Sequence, residues 1–101
     1  MDKQLAYTAI LSTRAQKEII EAWNWYEERQ QGLGDRFLNE IIKSIHSIEQ
    51  NPESYGTKYK SYKETSINIF PFLIIYIINK RKNLVKVISI FHTSLNPKKK
   101  Y

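Results

Sequence analysis

Residues 70–94 hold two strand-length apolar runs, FPFLIIYIIN and LVKVISIFHTS, separated by the polar tetrapeptide KRKN. Ile, Val, Phe and Tyr pack well on a pleated surface, and Lys80 to Asn83 suit an exposed turn, so the stretch reads as a β-hairpin at the centre of a sheet. Side chains alternate at period two. Phe70, Phe72, Ile74, Tyr76 and Ile78 therefore share one face of the first arm, and Leu73, Ile75 and Ile77 share the other. Neither face is polar. Near-continuous apolar runs signal burial on two sides, and one layer of helices covers only one of them. The second side needs the chain's own tail, a second copy or a partner.

The rest of the chain supplies the helical layer. Leu5 to Leu11 forms a first strand. Ala15, Ile19, Ala22, Trp23 and Tyr26 then recur at three- and four-residue steps, the period of one helix face, with Thr13 and Gln16 as a capping box. This helix runs to about Gln30 and stops at Gln31-Gly32-Leu33-Gly34, where glycine permits a left-handed turn. A second helix starts near Asp35, presents Phe37, Leu38, Ile41, Ile42, Ile45 and Ile48 on its apolar face, and ends at Asn51-Pro52. A tyrosine-rich loop leads to a third strand at roughly Tyr59 to Ile69. Pro71 removes a ladder donor, which marks a bend or edge at the start of the hairpin. The resulting order is β-α-α-β-β-β, an α+β fold in which an antiparallel helical hairpin packs on one face of a mostly antiparallel four-stranded sheet.

A length of 101 residues bounds this to one domain, 1–101. Hydrophobic content of 42% and charged content of 26% are those of a soluble globular chain. The absence of cysteine removes disulfide and thiolate chemistry and fits a reducing cytoplasm. The opening MDKQLAYT lacks the apolar core of a secretion signal, and no apolar run is long enough to span a membrane as a helix. The net charge of +6 is unevenly placed: residues 1–50 carry six Lys or Arg against eight Asp or Glu, residues 51–101 ten against two. A basic half of that kind suits a polyanion or an acidic partner, or serves simply as a solubilising surface.

Three landmarks together resemble the RelE/ParE superfamily of bacterial type II toxin–antitoxin modules: WYEERQQGLGDRF at the helical turn, FPFLIIY at the sheet centre and FHTSLNPKKKY at the end. The resemblance spans nearly the whole chain. It implies a small toxin neutralised by a co-encoded antitoxin that wraps the sheet and helices, with Phe72, Ile74, Tyr76, Ile88 and Ile90 as the antitoxin-binding face. It also implies one of two activities. ParE-like members inhibit DNA gyrase by binding; RelE-like members cut messenger RNA in the ribosome. The ParE-like branch is favoured because each helix spans about four turns and the RelE-like arginines are few. A homodimer or a hetero-oligomer with the antitoxin fits either branch.

The RNA-cleaving alternative needs a base, an acid and cations for the phosphate. His92, Lys63 and Tyr101 are its candidate catalytic residues; Lys58, Lys60, Lys63, Lys86, Lys98, Lys99 and Lys100 are its candidate phosphate contacts, with Tyr59, Tyr62 or Tyr101 stacking on a base. Each also has a plain structural reading. His92 alternates with Ile88 and Ile90 and suits a hydrogen-bonded structural role. The lysines suit a solvated edge that resists strand-to-strand association. Trp23, Trp25 and Tyr26 read as core and flank of the helical hairpin, Glu27 and Glu28 diverge around a helix, and His46 has no role. Two histidines on separate elements make no metal site, and no cofactor motif is present. Leu95 replaces a common family arginine, Phe72 a common tyrosine, and Lys63 an arginine whose fork it lacks. Those departures weaken the nuclease and leave a third alternative, a degenerate toxin or basic RNA-binding module.

Overall fold

The computed structural model describes residues 6–95, 98, 100 and 101, with residues 57–59 described by their backbone alone. Strand β1 (Thr8–Leu11) leads into helices α1 (Thr13–Arg29) and α2 (Leu33–Gln50). A single 3-10 turn (Pro52–Ser54) then precedes β2 (Thr57–Tyr59), β3 (Tyr62–Ser66), β4 (Phe72–Asn79) and β5 (Leu84–His92). The strands form one sheet in the order β1-β5-β4-β3-β2. β1 runs parallel to β5, with Thr8 opposite Leu84 and Leu11 opposite Val87, and every other pairing is antiparallel.

The α+β class and the order of elements are those expected from the sequence, with one strand more. The single strand expected over 59–69 divides: Lys60, at φ 51°, turns the chain back on itself, so residues 57–59 become a separate short arm. Its far end stops at Ser66 because Ile69 sits at φ 76° between Asn68 and Phe70, whose N–H donates to the Asn68 carbonyl at 2.8 Å. That is a γ-turn, and no ladder continues through it.

Local chemistry fixes the helical hairpin. The N-cap of α1 is Ser12, one residue ahead of the expected Thr13. Its hydroxyl accepts from the Ala15 N–H at 3.0 Å and donates to the Ile88 carbonyl at 2.7 Å, which pins the helix start to β5. Gln16 reaches back to the Leu11 carbonyl at 3.1 Å. At the turn Gly32 takes φ 89°, a conformation that favours glycine, and α2 begins at Leu33, two residues before the expected Asp35. The Glu27 carboxylate accepts from the N–H groups of Gly32 and Gly34, both at 2.8 Å, and so satisfies donors that the start of α2 leaves open.

The core lies between this hairpin and one face of the sheet. Ala15 and Ala22 of α1 and Phe37, Ile41 and Ile48 of α2 pack on Phe70, Phe72, Ile74, Tyr76, Val85, Val87 and Ile90. Tyr26, Phe37, Phe70 and Phe72 stack with centroids 5.0 to 5.4 Å apart along their closest pairs. Full burial of each large apolar side chain contributes about 1.5–3 kcal/mol. The Tyr76 hydroxyl, fully buried, donates to the Pro52 carbonyl at 2.7 Å, and burial pushes its pKa up. The α2 stripe is narrower than the sequence indicates: Ile42 is 54% exposed, pointing away from the sheet.

On the opposite face Ile75 and Phe91 are also buried. Of the three possible covers, the chain's own tail lies there. Glu64 pairs with Ile75, and Ile75 with Ser89, so these three share the face away from the helices. The Lys100 ammonium meets the Glu64 carboxylate at 3.0 Å, the Tyr101 hydroxyl donates to the same carboxylate, and the Tyr101 ring stacks on Tyr62 at 4.8 Å. Arg14 holds the Lys100 carbonyl at 3.1 Å. The cover is partial, since Ile10 and Lys86, paired on this face, stay exposed.

Candidate functional site: a groove between α1 and the open edge of β5

β1 pairs with β5 only as far as Val87, and a bulge at Ile88 follows. Beyond it the outer edge of β5 carries no strand among the described residues, and α1 lies alongside instead. Glu18 closes the gap. One carboxylate oxygen accepts from the Ile90 N–H at 2.9 Å and the Ser89 hydroxyl at 2.8 Å, and the other from Arg14 at 3.2 Å. Between helix and strand edge runs a groove of about 620 Å³. Ala22, Tyr26, Phe72 and Ile90 form its apolar lining, Trp25 and Leu95 project into solvent at its sides, Glu18 and Glu21 stand along the helix, and Pro71, His92 and Ser94 complete it.

His92 is the histidine of this groove. Its ring packs edge-on against Phe72, with centroids 4.9 Å apart. Nδ1 accepts from the Ser94 N–H at 3.1 Å and lies 2.6 Å from the Ser94 hydroxyl. A ring nitrogen that accepts from a backbone N–H carries no proton, so the neutral ring holds its proton on Nε2. His92 thus reads as a histidine oriented by its own turn, with Nε2 left for other contacts.

The expected catalytic set is not assembled. Lys63 pairs with Tyr76 on the helix-facing side and donates to the Tyr55 carbonyl at 2.8 Å. Tyr101 lies on the other face against Glu64, where burial first, then the hydrogen bond and charge of Glu64, pushes its phenol up to about 12. His92 stands opposite Phe72, four residues along β4 from Tyr76 and two strands from β3, an axial offset of about 13 Å. A group of other cations collects at the far end of the sheet. Lys60 turns β2 into β3, and Lys80, Arg81 and Lys82 turn β4 into β5, with Lys86 close by on the outer face. Lys80 is paired there with Glu53 at 2.9 Å. Lys58 lies in β2, its side chain outside what is described, Lys98 and Lys100 belong to the tail, and Lys99 lies outside the described residues.

The face expected to bind an antitoxin needs correction. Phe72, Ile74, Tyr76 and Ile90 are 6% exposed or less because the helices sit on them. An intact fold withholds them, apart from the groove-side margins of Phe72 and Ile90. Ile88, at the bulge, is half-buried and does not alternate regularly with Ile90. Trp25, read from the sequence as part of the hairpin's packing, is 52% exposed, with the Arg29 guanidinium 3.6 Å above its ring. Glu21, Trp25 and Leu95 were not legible as one site. The available signal was Trp25 itself, an aromatic residue off the apolar stripe of α1. His46 is exposed, near Glu49, and Glu27 serves the helical turn.

The fold and the sequence both match known proteins. The family model described as the ParE toxin of the type II toxin–antitoxin system parDE matches residues 9–97. The chromosomal ParDE toxin–antitoxin system from P. aeruginosa superposes with a TM-score of 0.75 at 8% identity, covering 88% of this chain and 98% of that one. The toxin–antitoxin complex RelBE2 from Mycobacterium tuberculosis gives 0.64 at 15% identity, over 91% and 97% of the two chains. The archaeal RelE–RelB complex from Pyrococcus horikoshii OT3 gives 0.54 at 10% identity, over 91% and 100%. At such identities the structural likeness is one of fold. No curated protein matches the chain at a significant level. The family match takes in every strand and both helices apart from the first residue of β1, and on that ground the chain belongs to the ParE toxin family of type II toxin–antitoxin systems.

Proposed function

We propose that this protein is a ParE-like toxin that acts by binding, with DNA gyrase as its target, and that a cognate antitoxin neutralises it. The observation that carries the reading is the separation of the groups a nuclease would need. His92 sits at one end of the sheet, and the cations of the two strand turns, Lys60, Lys80, Arg81 and Lys82, sit at the other. From Phe72 to Asn79 the strand between them is about 23 Å long. General acid–base chemistry on a phosphodiester needs these groups within hydrogen-bond reach of one another's reacting atoms. Binding needs only a shaped surface, and the groove beside α1 and the basic end of the sheet are two such surfaces. The family assignment and the ParDE and RelBE neighbours support a partner antitoxin. Among the described residues no helix is long and apolar enough to cross a membrane.

Two assays on the purified protein test this. In a gyrase supercoiling assay the protein inhibits the enzyme, and adding the product of the adjacent reading frame restores it. In a translation-coupled RNA cleavage assay it leaves messenger RNA intact. Cleavage with supercoiling untouched reverses the assignment in favour of the RelE-like activity.

A further inference from the structure

The geometry points to the α1–β5 groove as the docking site for a partner segment with apolar side chains next to a lysine or arginine. The inference deepens the proposed function and rests on it, since the partner meant is the neutralising protein. Its first support is shape. A volume of about 620 Å³ lies within the range of pockets that enclose a ligand or several side chains, and the lining is mostly apolar. Trp25 and Leu95, 52% and 46% exposed, flank it as two projecting apolar groups. Exposed aromatic residues beside a pocket are the kind of group that carries binding energy.

The second support is charge. The chain as a whole is +6, yet the acids of this groove are Glu18 and Glu21. Glu18 is already engaged by Arg14, Ser89 and the Ile90 N–H. Glu21 is exposed and has no partner among the described residues. Lys17, one turn before Glu21 on the same helix, makes no ion pair with it among the described residues, and Arg29, two turns after it, is held over the Trp25 ring and beside Glu28 at 3.8 Å. His92 is oriented by Ser94. The groove therefore presents one unspent carboxylate beside an apolar floor, on a molecule whose net charge is +6. A cationic apolar segment complements it, and an acidic one is repelled.

The other occupants fit less well. The tail is committed to Glu64 and Tyr62 on the far face. Addition of a new strand to β5 is obstructed where Glu18 already takes the Ile90 N–H, so docking is led by side chains.

The test uses the full chain and fifteen-residue peptides tiling the product of the adjacent reading frame, with affinity read by fluorescence anisotropy. The tightest peptide is expected to carry Lys or Arg beside two or more apolar residues. Trp25→Ala and Glu21→Lys each weaken it by about tenfold or more, and Glu21→Gln weakens it less while flattening its salt dependence. Ile20→Ser, on an exposed position outside the groove, leaves it unchanged, and thermal melts confirm that each variant is folded. Affinity of every bound peptide indifferent to both Trp25→Ala and Glu21→Lys, or an acidic peptide as the one that these variants weaken, overturns the groove assignment while binding of the full-length product leaves the proposed function standing. Failure of the full-length product to bind overturns the neutralised-toxin reading and this inference with it. A concentration-dependent dimer abolished by Trp25→Ala identifies a second copy as the occupant and overturns the inference alone.

Discussion

Lys100→Met and Glu64→Gln remove opposite halves of one ion pair, and the structure makes their costs unequal. The Lys100 ammonium and the Glu64 carboxylate meet at 3.0 Å, with side chains 22% and 8% exposed. Losing Lys100 leaves the carboxylate, the more enclosed partner, shielded from water. Removing one partner of a fully buried pair costs about 3–5 kcal/mol, and the Tyr101 hydroxyl still donates here, so about 2–3 kcal/mol is expected. Glu64→Gln is milder. The amide oxygen still accepts from Tyr101, and the lysine's long stem lets its charge reach solvent, which brings the cost to about 1 kcal/mol, the net worth of one hydrogen bond. Because both changes act on one contact, the double variant should cost about 1 kcal/mol less than the two single costs added. Urea unfolding followed by circular dichroism measures all three, with an unchanged m-value as the condition for comparing midpoints. Equal costs, a reversed order, or strict additivity would refute the view that the tail is latched through an enclosed carboxylate.

Three further perturbations probe other parts of the fold. Tyr101, its phenol raised to about 12, holds its proton in the folded state over a range where the unfolded chain, titrating near 10, has released it. The stabilisation is therefore whole below pH ~10 and lost as pH climbs through ~12, and Tyr101→Phe should remove that component of the alkaline fall in urea midpoint. A Cβ on Gly34 would lie 2.8 Å from the Trp23 carbonyl and 2.8 Å from Glu27. Overpacking of about 1–3 kcal/mol outweighs the roughly 1 kcal/mol gained in helix propensity, so Gly34→Ala should lower the melting temperature by about 4–8 °C per kcal/mol lost. Gly56→Ala, with nothing within 4 Å, should not lower it. Ile69, β-branched, 59% exposed and at φ 76°, is strained in its γ-turn. Ile69→Gly should stabilise by about 1 kcal/mol in the same urea assay, and a loss would mean that the turn is not strained.

The parts of the fold legible in the sequence were those governed by local periodicity. The helical hairpin, its glycine turn and the two alternating sets of β4 follow from spacing alone. The parallel β1–β5 pairing did not, because it joins segments more than seventy residues apart and leaves no local mark. Nor did the choice of face. Both sides of β4 are apolar, so alternation separated Phe72, Ile74 and Tyr76 from Leu73, Ile75 and Ile77 correctly without saying which set the helices would take. Of the five residues assigned to a partner, Phe72, Ile74, Tyr76 and Ile90 turned out to lie under α1 and α2, and Ile88 lies at the bulge. In β5 the bulge at Ile88 shifts the register between Ser89 and Val87, and a strict period of two carried through it misplaces one half of the strand. The groove was hidden for a related reason: Glu21, Trp25 and Leu95 come from a helix and a turn some seventy residues apart, and only the end of β1 at Leu11 opens the space between them.

The arrangement of charge bears on what kind of partner can neutralise such a molecule. Cations gather where β2 meets β3 and β4 meets β5, whereas the groove with its unspent Glu21 lies at the opposite end, about 23 Å away along β4. A single partner engaging both must itself be divided, with an acidic stretch for one end and a basic apolar stretch for the other. The spacing follows from chain geometry: about seven residues if the intervening segment is extended, or about fifteen if it is helical. The order of the two stretches is then fixed by the direction in which the segment runs. Exchanging them within a bound peptide of unchanged composition sets like charge against like at both ends. Affinity should then fall below that of either stretch alone, measured by the same anisotropy titration, whereas a peptide that binds equally well in both orders would show that charge contributes only a diffuse attraction and that the groove reads no polarity.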